Sequence, residues 1–284
     1  MCIRDRDENL TATNSIEEIR SSLFILFCVP SNSFKEVLTK VIQHINPDAF
    51  LISATKGIEE EGFLLMSQIL ENETKGHDIG VISGPNLAQE ISLNQLTGTV
   101  VASKSRVLQD ECIKVFSSDS FRLYTNDDPY GVELGGALKN IYAIACGIAD
   151  GLDSGENTVG MIMTRGLAEM SRFAVNQGAD PMTFLGLSGV GDLITTCASP
   201  LSRNHALGKL IGKGLTIDEA QKDIGQTTEG LKTLKVVWEK AKEEGIEMPI
   251  VNSLYKIIYR KESLEGSIEK VLGTDQPKDV EFSR

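Results

Sequence analysis

The sequence predicts an α/β fold in its first part and an all-helical second part. Short apolar runs alternate with segments of helical periodicity up to about residue 128, which is typical of βαβ units that build a mostly parallel sheet. After Pro129, only long segments with a period of 3.6 residues follow. We therefore expect two domains, at residues 1–128 and 129–284.

Each strand of the first domain is predicted from a continuous apolar run that ends at turn-forming residues. The first run, residues 23–29, is closed by Pro30, and the second, residues 50–53, leads into a Lys-Gly turn. Further strands are predicted at residues 79–83, 98–103 and 121–124, and helices at residues 34–45, 58–72 and 107–116.

Glycine-rich joints separate the helices that the periodicity predicts for the second domain. No internal repeat or low-complexity linker interrupts this part of the chain. The helices are predicted at residues 133–152, 159–177, 181–185, 204–213, 216–222, 229–245, 248–259 and 264–272.

The composition excludes several functional classes. Forty acidic and 28 basic side chains give a net charge of −12, which is the wrong sign for binding a nucleic-acid backbone or an anionic lipid surface. No apolar run approaches the ~18 residues that a membrane span needs. The five cysteines form no CxxC pair and the three histidines no HExxH motif. We therefore expect reduced thiols, a cytoplasmic protein and no metal site.

The start of the predicted sheet lacks a phosphate-binding loop. A dinucleotide-binding sheet normally opens with a strand, a Gly-rich turn and a helix whose N-terminus holds the pyrophosphate. No GxGxxG precedes the run at residues 23–29. The expectation is an incomplete Rossmann-like sheet that begins around its third or fourth strand and binds a dinucleotide weakly.

A lysine in the apolar helix 133–152 is the first candidate for chemistry. Lys139 follows the pair Gly135 and Gly136, which allows another backbone to approach closely. An ammonium in such surroundings has a lowered pKa, which suits proton exchange with a substrate hydroxyl or carbonyl. The alternative is a lysine whose charged end reaches the surface.

Further polar candidates lie in loops. Asp192, within LSGVGDL, could pair with a cation or cap a helix. The turn at Ser202, Arg203 and Asn204 could seat a phosphate or be a capped surface turn. Ligands of open α/β sheets bind beyond the carboxyl ends of the strands. This rule favours three residues that follow predicted strands, namely Lys56, Gly84 and Asn86.

Together these segments resemble the bacterial-type NAD(P)-dependent glycerol-3-phosphate dehydrogenases over residues 9–249. The resemblance is specific because many segments agree in the same order, and chance recurrence of all of them is negligible. They are VPSNSFKEVL, SATKGIE, VISGPNLAQEI, GVELGGALKNIYAIACGIADGL, TRGLAEM, GVGDLITTC, SRNHALGKLIGKG and EGLKT.

The resemblance implies interconversion of sn-glycerol 3-phosphate and dihydroxyacetone phosphate with NAD or NADP, which supplies glycerophospholipid synthesis. It implies that Lys139 is the general acid/base, with Asp192 and Thr196 holding the lysine and the substrate. The implied substrate-binding residues are Lys56, Gly84, Asn86, Ser202, Arg203 and Asn204, and the implied cofactor-binding residues are Lys56, Ala88, Arg203, Thr227 and Glu229.

The family pattern also has a strand, a GxGxxW-type turn and a second strand ahead of residue 9. We therefore expect this chain to lack them and to be inactive by itself. Two alternatives stay open from the residues: another dehydrogenase of the hydroxyacid or 6-phosphogluconate type, and a non-catalytic helical dimerisation module. Convergence of Lys56, Lys139, Asp192, Arg203 and Asn204 on one cleft would argue against the second. A homodimer is expected only by analogy with other helical domains.

Overall fold

The computed structural model describes residues 10–225 and 228–264. Five strands form a sheet in the order β1-β2-β5-β6-β7, parallel throughout except that β5 and β6 are antiparallel. A small antiparallel hairpin, β3 and β4, stands apart from it. The strands are β1 (Phe24–Phe27), β2 (Phe50–Ser53), β3 (Ile58–Glu59), β4 (Leu64–Leu65), β5 (Ile79–Ser83), β6 (Thr97–Ser103) and β7 (Phe121–Asn126). The predicted α/β class with a mostly parallel sheet is confirmed.

The helices of the first part cover both faces of this sheet. Helices α1 (Phe34–Val41) and α2 (Met66–Glu73) contribute Phe34, Leu38 and Ile69 to a core with β1 and β2. A short helix α3 (Ala88–Ser92) follows β5. On the opposite face, α4 (Arg106–Phe116) buries Leu108 and Cys112 against β2, β6 and β7. The central strands β2, β5 and β6 are thereby mostly buried, as their continuous apolar runs require.

The prediction of a single helix over residues 58–72 is wrong. The chain forms the β3–β4 hairpin there, and α2 begins only at Met66. Gly62 and Phe63 between the two strands have positive φ angles of 83° and 51°, which a right-handed helix does not accept. Ile58 and Leu65 are both buried in the core of the helical part, so tertiary packing overrides the helix-like periodicity.

Seven α-helices follow the last strand of the sheet in the described part of the chain. Two further segments, Pro181–Leu185 and Leu187–Gly191, are a 3₁₀ turn and a π-helical turn between α6 and α7. The predicted helix at 264–272 lies, except for Leu264, outside the described residues. The helices are α5 (Pro129–Gly151), α6 (Glu156–Asn176), α7 (Asp192–Ala198), α8 (Arg203–Gly212), α9 (Ile217–Ile224), α10 (Glu229–Glu244) and α11 (Pro249–Arg260).

Helix α5 is the central element of the helical part. It has the length and apolar composition of a membrane-spanning helix, yet its apolar 18-residue window is entirely buried inside the protein. Asp128 caps its first turn by accepting a hydrogen bond from the amide of Gly131. Helices α6, α7, α8 and α10 pack around it, which explains why most of its residues on every side are apolar or small.

Glycines let α5 and α8 approach at backbone distance. A Cβ added to Gly147 would lie 2.1 Å from the carbonyl oxygen of His205, and one added to Gly208 would lie 2.0 Å from that of Ile144. Gly151 and Gly212 meet one turn further along, where each added Cβ would come within 3.0 Å of the opposite backbone. This contact fixes the start of α8, at Arg203, relative to α5.

A buried carboxyl group joins α6 to the start of α11. Glu169 accepts hydrogen bonds from the backbone amides of Ile250 and Val251, at 2.7 and 3.4 Å, and from the hydroxyl of Tyr142 at 3.3 Å. Burial raises the pKa of Glu169 to about 7, although the two amides oppose the shift. Folding therefore favours the protonated carboxyl group.

This raised pKa predicts a pH-dependent stability. Between about pH 4.5 and 7 the folded state binds the Glu169 proton more tightly than the unfolded state does, so the free energy of unfolding should fall as pH rises through that range. In the Glu169→Gln variant the free energy of unfolding should depend less steeply on pH, by up to about 1.4 kcal/mol per pH unit. Urea unfolding at pH 5, 6 and 7 measures it, and equal slopes in both proteins would contradict the prediction.

Candidate functional site

A cavity of about 540 Å³ lies where the sheet meets the helical part. It opens beyond the carboxyl ends of β1 and β2, which are parallel and therefore end at the same edge of the sheet. Helices α5, α8 and α10 close its other side. The lining residues are Cys28, Val29, Pro30, Ala54, Thr55, Lys56, Asn140, Arg203, Asn204 and Glu229.

Two lysines share one carboxylate beside this cavity. The ammonium of Lys139 contacts Oδ1 of Asp192 and donates to the hydroxyl of Thr196 at 2.7 Å. The ammonium of Lys56 lies 2.6 Å from Oδ2 of the same aspartate and 3.4 Å from the carbonyl oxygen of Gly84. Lys139 and Asp192 are buried, whereas Lys56 remains partly exposed at the cavity wall.

This arrangement makes Lys139 a weak base. Burial and, next, the positive charge of Lys56 lower its pKa to about 7, although Asp192 opposes both effects. A group that gains and loses a proton near neutrality can act as a general acid in one direction of a reaction and as a base in the other. The alternative of a lysine that reaches the surface is wrong, because only 6% of Lys139 is exposed.

The glycines of α5 and of the 187–191 turn bring Asp192 to the lysines. A Cβ on Gly135 would lie 3.1 Å from the carbonyl oxygen of Ser188, and one on Gly189 would lie 2.3 Å from that of Phe184. The π-helical turn packs tightly here and leads directly into α7 at Asp192. Asp192 does not cap the helix, since Gly191 occupies the N-cap position; its carboxylate binds the two cations instead.

The Ser-Arg-Asn turn delivers Arg203 and Asn204 to the opposite wall. Ser202 is the N-cap of α8, where its hydroxyl accepts a hydrogen bond from the amide of His205 at 3.3 Å. The side-chain oxygen of Asn204 accepts one from the amide of Gly230 at 3.1 Å. The turn is therefore both a helix cap and a wall of the cavity, and the phosphate seat stays a prediction.

The loop after β5 lies beside the charged cluster. Gly84 has a φ of 148°, and Asn86 donates its amide nitrogen to the hydroxyl of Thr99 at 2.8 Å. Neither these residues nor Ala88, which begins α3, line the cavity. The oxygen of Asn86 is buried and has no hydrogen-bond partner among the described residues, so it is available to a ligand that reaches it.

The structure thus brings together most of the residues named from the sequence. Lys56, Arg203, Asn204 and Glu229 line the cavity, and Lys139 lies behind Lys56 with Asp192. Thr227 lies outside the described residues. Within the described ranges, no cluster of three His, Cys, Asp or Glu side chains could hold a metal ion, and the absence of a metal remains a prediction.

Sequence reasoning missed two neighbours of the site. Asn140 lines the cavity, and its position directly after Lys139 was the available signal. Ser31 donates a hydrogen bond from its hydroxyl to Glu229 at 2.9 Å. The two are 198 positions apart, so no local pattern could have paired them. Glu229 itself was named only through the family resemblance.

Two models of one protein family match successive parts of this chain. The family model described as NAD-dependent glycerol-3-phosphate dehydrogenase C-terminus matches residues 128–269, and the corresponding N-terminus model matches residues 4–109. This chain belongs to the NAD-dependent glycerol-3-phosphate dehydrogenase family. The family match argues against both alternatives that the residues left open. The non-catalytic dimerisation module is also inconsistent with the structure, because Lys56, Lys139, Asp192, Arg203 and Asn204 converge around one cleft.

Individual members of the glycerol-3-phosphate dehydrogenase family match nearly the whole chain. Glycerol-3-phosphate dehydrogenase [NAD(P)+] of Alcanivorax borkumensis is 49% identical over 276 residues, which are 97% of this chain and 80% of the relative. The protein of the same name from Teredinibacter turnerae is 52% identical over 279 residues, 97% of this chain and 82% of the relative.

Solved structures of the family have the same fold. Glycerol-3-phosphate dehydrogenase from Coxiella burnetii superposes with a TM-score of 0.90 at 36% identity, covering 94% of this chain and 82% of that one. A ketopantoate reductase from Ralstonia eutropha superposes with a TM-score of 0.54 at 12% identity, which shows a likeness in fold alone.

Proposed function

We propose that this chain interconverts sn-glycerol 3-phosphate and dihydroxyacetone phosphate, with NAD or NADP as the redox partner, and so supplies glycerophospholipid synthesis. The observation that carries the proposal is Lys139, a buried ammonium that is held by Asp192 and Thr196 next to the cavity. The relatives named above support the substrate and the cofactor.

Lys139 exchanges the proton in this reaction. When dihydroxyacetone phosphate is reduced, its C2 carbon gains a hydride and its C2 oxygen gains a proton, which the ammonium of Lys139 donates. In the oxidation of sn-glycerol 3-phosphate, the neutral amine accepts that proton. Thr196 and Asp192 orient the lysine through hydrogen bonds, and the charge of Lys56 helps to lower its pKa.

The phosphate end of the substrate binds at the start of α8. Arg203 and Asn204 line the cavity, and the positive end of the helix dipole favours an anion there. A guanidinium donates two parallel hydrogen bonds to a phosphate. Ser202, Lys56, Gly84 and Asn86 complete the proposed substrate contacts, with Lys56 next to the position of the C2 oxygen because its ammonium shares Asp192 with Lys139.

The residues around the cavity also fit a nicotinamide dinucleotide. Such a cofactor supplies or accepts the hydride. The carboxyl ends of parallel strands β1 and β2 form the edge at which dinucleotides bind, and the volume of about 540 Å³ admits one end of such a molecule. We propose that Lys56, Ala88, Arg203, Thr227 and Glu229 hold it.

Three further features belong to the proposal. We place the boundary between the dinucleotide and substrate domains at residues 128 and 129, because α5 begins at Pro129 after the last strand of the sheet. The protein works in the cytoplasm on small molecules, without nucleic acid or a membrane span. Pairing of two copies through the helical domain is proposed by analogy.

The substrate is tested by comparing dihydroxyacetone phosphate with dihydroxyacetone, following NADH and NADPH absorbance. Arg203→Ala should lower kcat/KM for the phosphate ester about a hundredfold, because a charge-assisted phosphate contact is lost. Lys209→Ala is the matched control: it removes a cation of the same helix that pairs with Asp150. Equal reduction of both ketones by the unsubstituted protein would refute the phosphate seat.

The same assay tests whether this chain is active by itself. It is run on the chain and on a fusion in which the strand, GxGxxW-type turn and second strand of the family pattern precede Leu10. Turnover by the fusion alone would support the expectation that the chain needs these elements. Turnover by both would contradict that expectation, and a folded fusion that binds NADH but reduces no dihydroxyacetone phosphate would contradict the proposed function.

A further inference from the structure

Ser31 contacts Glu229 across the cleft between the sheet and the helical part. Ser31 belongs to the turn that follows β1, and Glu229 is the first residue of α10. The serine hydroxyl donates a hydrogen bond to Oε2 of the glutamate at 2.9 Å. Only 2% of Ser31 is exposed, so solvent does not compete for this bond.

A third segment fixes the direction of the serine. Gly57 follows β2 with a φ of 152°, and a Cβ added to it would lie 2.6 Å from the Cβ of Ser31 and 3.4 Å from Oε2 of Glu229. The turn after β1, the turn after β2 and the start of α10 therefore meet at one point. Because no space is left beside the serine, packing holds its hydroxyl toward Glu229.

The second carboxylate oxygen of Glu229 is left for a ligand. Among the described residues, Ser31 supplies the hydrogen bond to the Glu229 side chain, and it engages Oε2. Glu229 also lines the cavity. A carboxylate accepts hydrogen bonds and repels phosphate groups, so its partner in the cavity is a hydrogen-bond donor, such as a sugar hydroxyl, and not a phosphate.

We propose that Ser31 is a positioning residue for cofactor binding: it holds Glu229 so that the second carboxylate oxygen accepts a hydrogen bond from a sugar hydroxyl of the dinucleotide. This inference rests on the proposed function, because it takes the cofactor from it. It adds a residue of the sheet domain to the cofactor site and gives its hydroxyl a defined partner.

A double-mutant cycle tests the inference. NADH affinity is measured by fluorescence titration for the unsubstituted protein, Ser31→Ala, Glu229→Ala and the double variant, each in the chain and in the fusion described above. Ser31→Ala should weaken binding roughly tenfold, as loss of a hydrogen bond to a charged group does. The double variant should bind NADH no more weakly than Glu229→Ala alone, since the serine acts only through the glutamate.

A kinetic readout separates positioning from a loss of structure. Ser31→Ala should raise KM for NADH and leave kcat and KM for dihydroxyacetone phosphate unchanged. Ser33→Ala is the matched control, because its hydroxyl lies in the same turn but faces Asn32. Additive effects in the cycle, unchanged NADH affinity of Ser31→Ala, or no NADH binding by the unsubstituted protein would overturn the inference. NADH binding that follows the cycle without ketone reduction would overturn only the proposed function.

Discussion

Replacing Lys139 by alanine is expected to lower kcat for dihydroxyacetone phosphate reduction about 10²–10⁴-fold, the usual range for loss of a general acid. The ammonium that donates to the C2 oxygen is gone, and the hydroxyl of Thr196 beside it is too weak an acid to take its place. KM should change much less than kcat. Steady-state kinetics measures both constants, on the chain itself or on the fusion described above, whichever is active.

The pH profile makes this prediction specific. Since the pKa of Lys139 is lowered to about 7, kcat for ketone reduction should fall as pH rises above about 7, because the acid form disappears. For glycerol phosphate oxidation kcat should instead fall as pH drops below about 7, because the amine becomes protonated. Opposite profiles in the two directions identify one group in two roles.

Lys56→Met provides the control for the electrostatic argument. Its positive charge is the second cause of the lowered pKa of Lys139, so its removal should move the midpoint of the kcat profile to higher pH. Lys139→Ala should abolish the profile altogether. If Lys139→Ala keeps both its kcat and its pH dependence, another acid performs the step and the assignment of Lys139 is refuted.

Local patterns predicted the central strands β2 and β5 well because these strands are mostly buried. Residues 50–53 and 79–83 form strands with the predicted bounds, since a short apolar run closed by a turn has few other structures available. The hairpin at 58–65 was missed because its register depends on Ile58 and Leu65 entering the core of the distant helical part. Periodicity within the segment carries no such information.

The candidate site shows the same division between local and distant causes. Lys139 stands out locally as a charge in an apolar helix, but its carboxylate partner is 53 positions away. Asp192 reaches both lysines only because glycines at 135 and 189 let two backbones meet. Sequence reasoning could therefore name the members of the cluster, while the family resemblance, and not spacing, implied their grouping.

The second large effect is expected at Gly208, where alanine should destabilise the protein by about 3 kcal/mol. The added Cβ would lie 2.0 Å from the carbonyl oxygen of Ile144 and 2.9 Å from the amide nitrogen of Ile148. Both are backbone atoms of α5, so no side chain can move aside and the two helices must separate. Thermal unfolding should show a Tm lower by on the order of 5–10 °C.

Gly160→Ala is the matched control, because Gly160 also lies within a helix, α6, but a Cβ there would meet nothing within 4 Å. Alanine should stabilise that helix by about 0.5–1 kcal/mol through its better helix propensity. Since α8 begins at Arg203 and α5 carries Lys139, separating the helices at Gly208 should also raise KM for dihydroxyacetone phosphate. An unchanged Tm and KM would mean that the approach of α5 and α8 does not set the distance between the phosphate seat and the lysine.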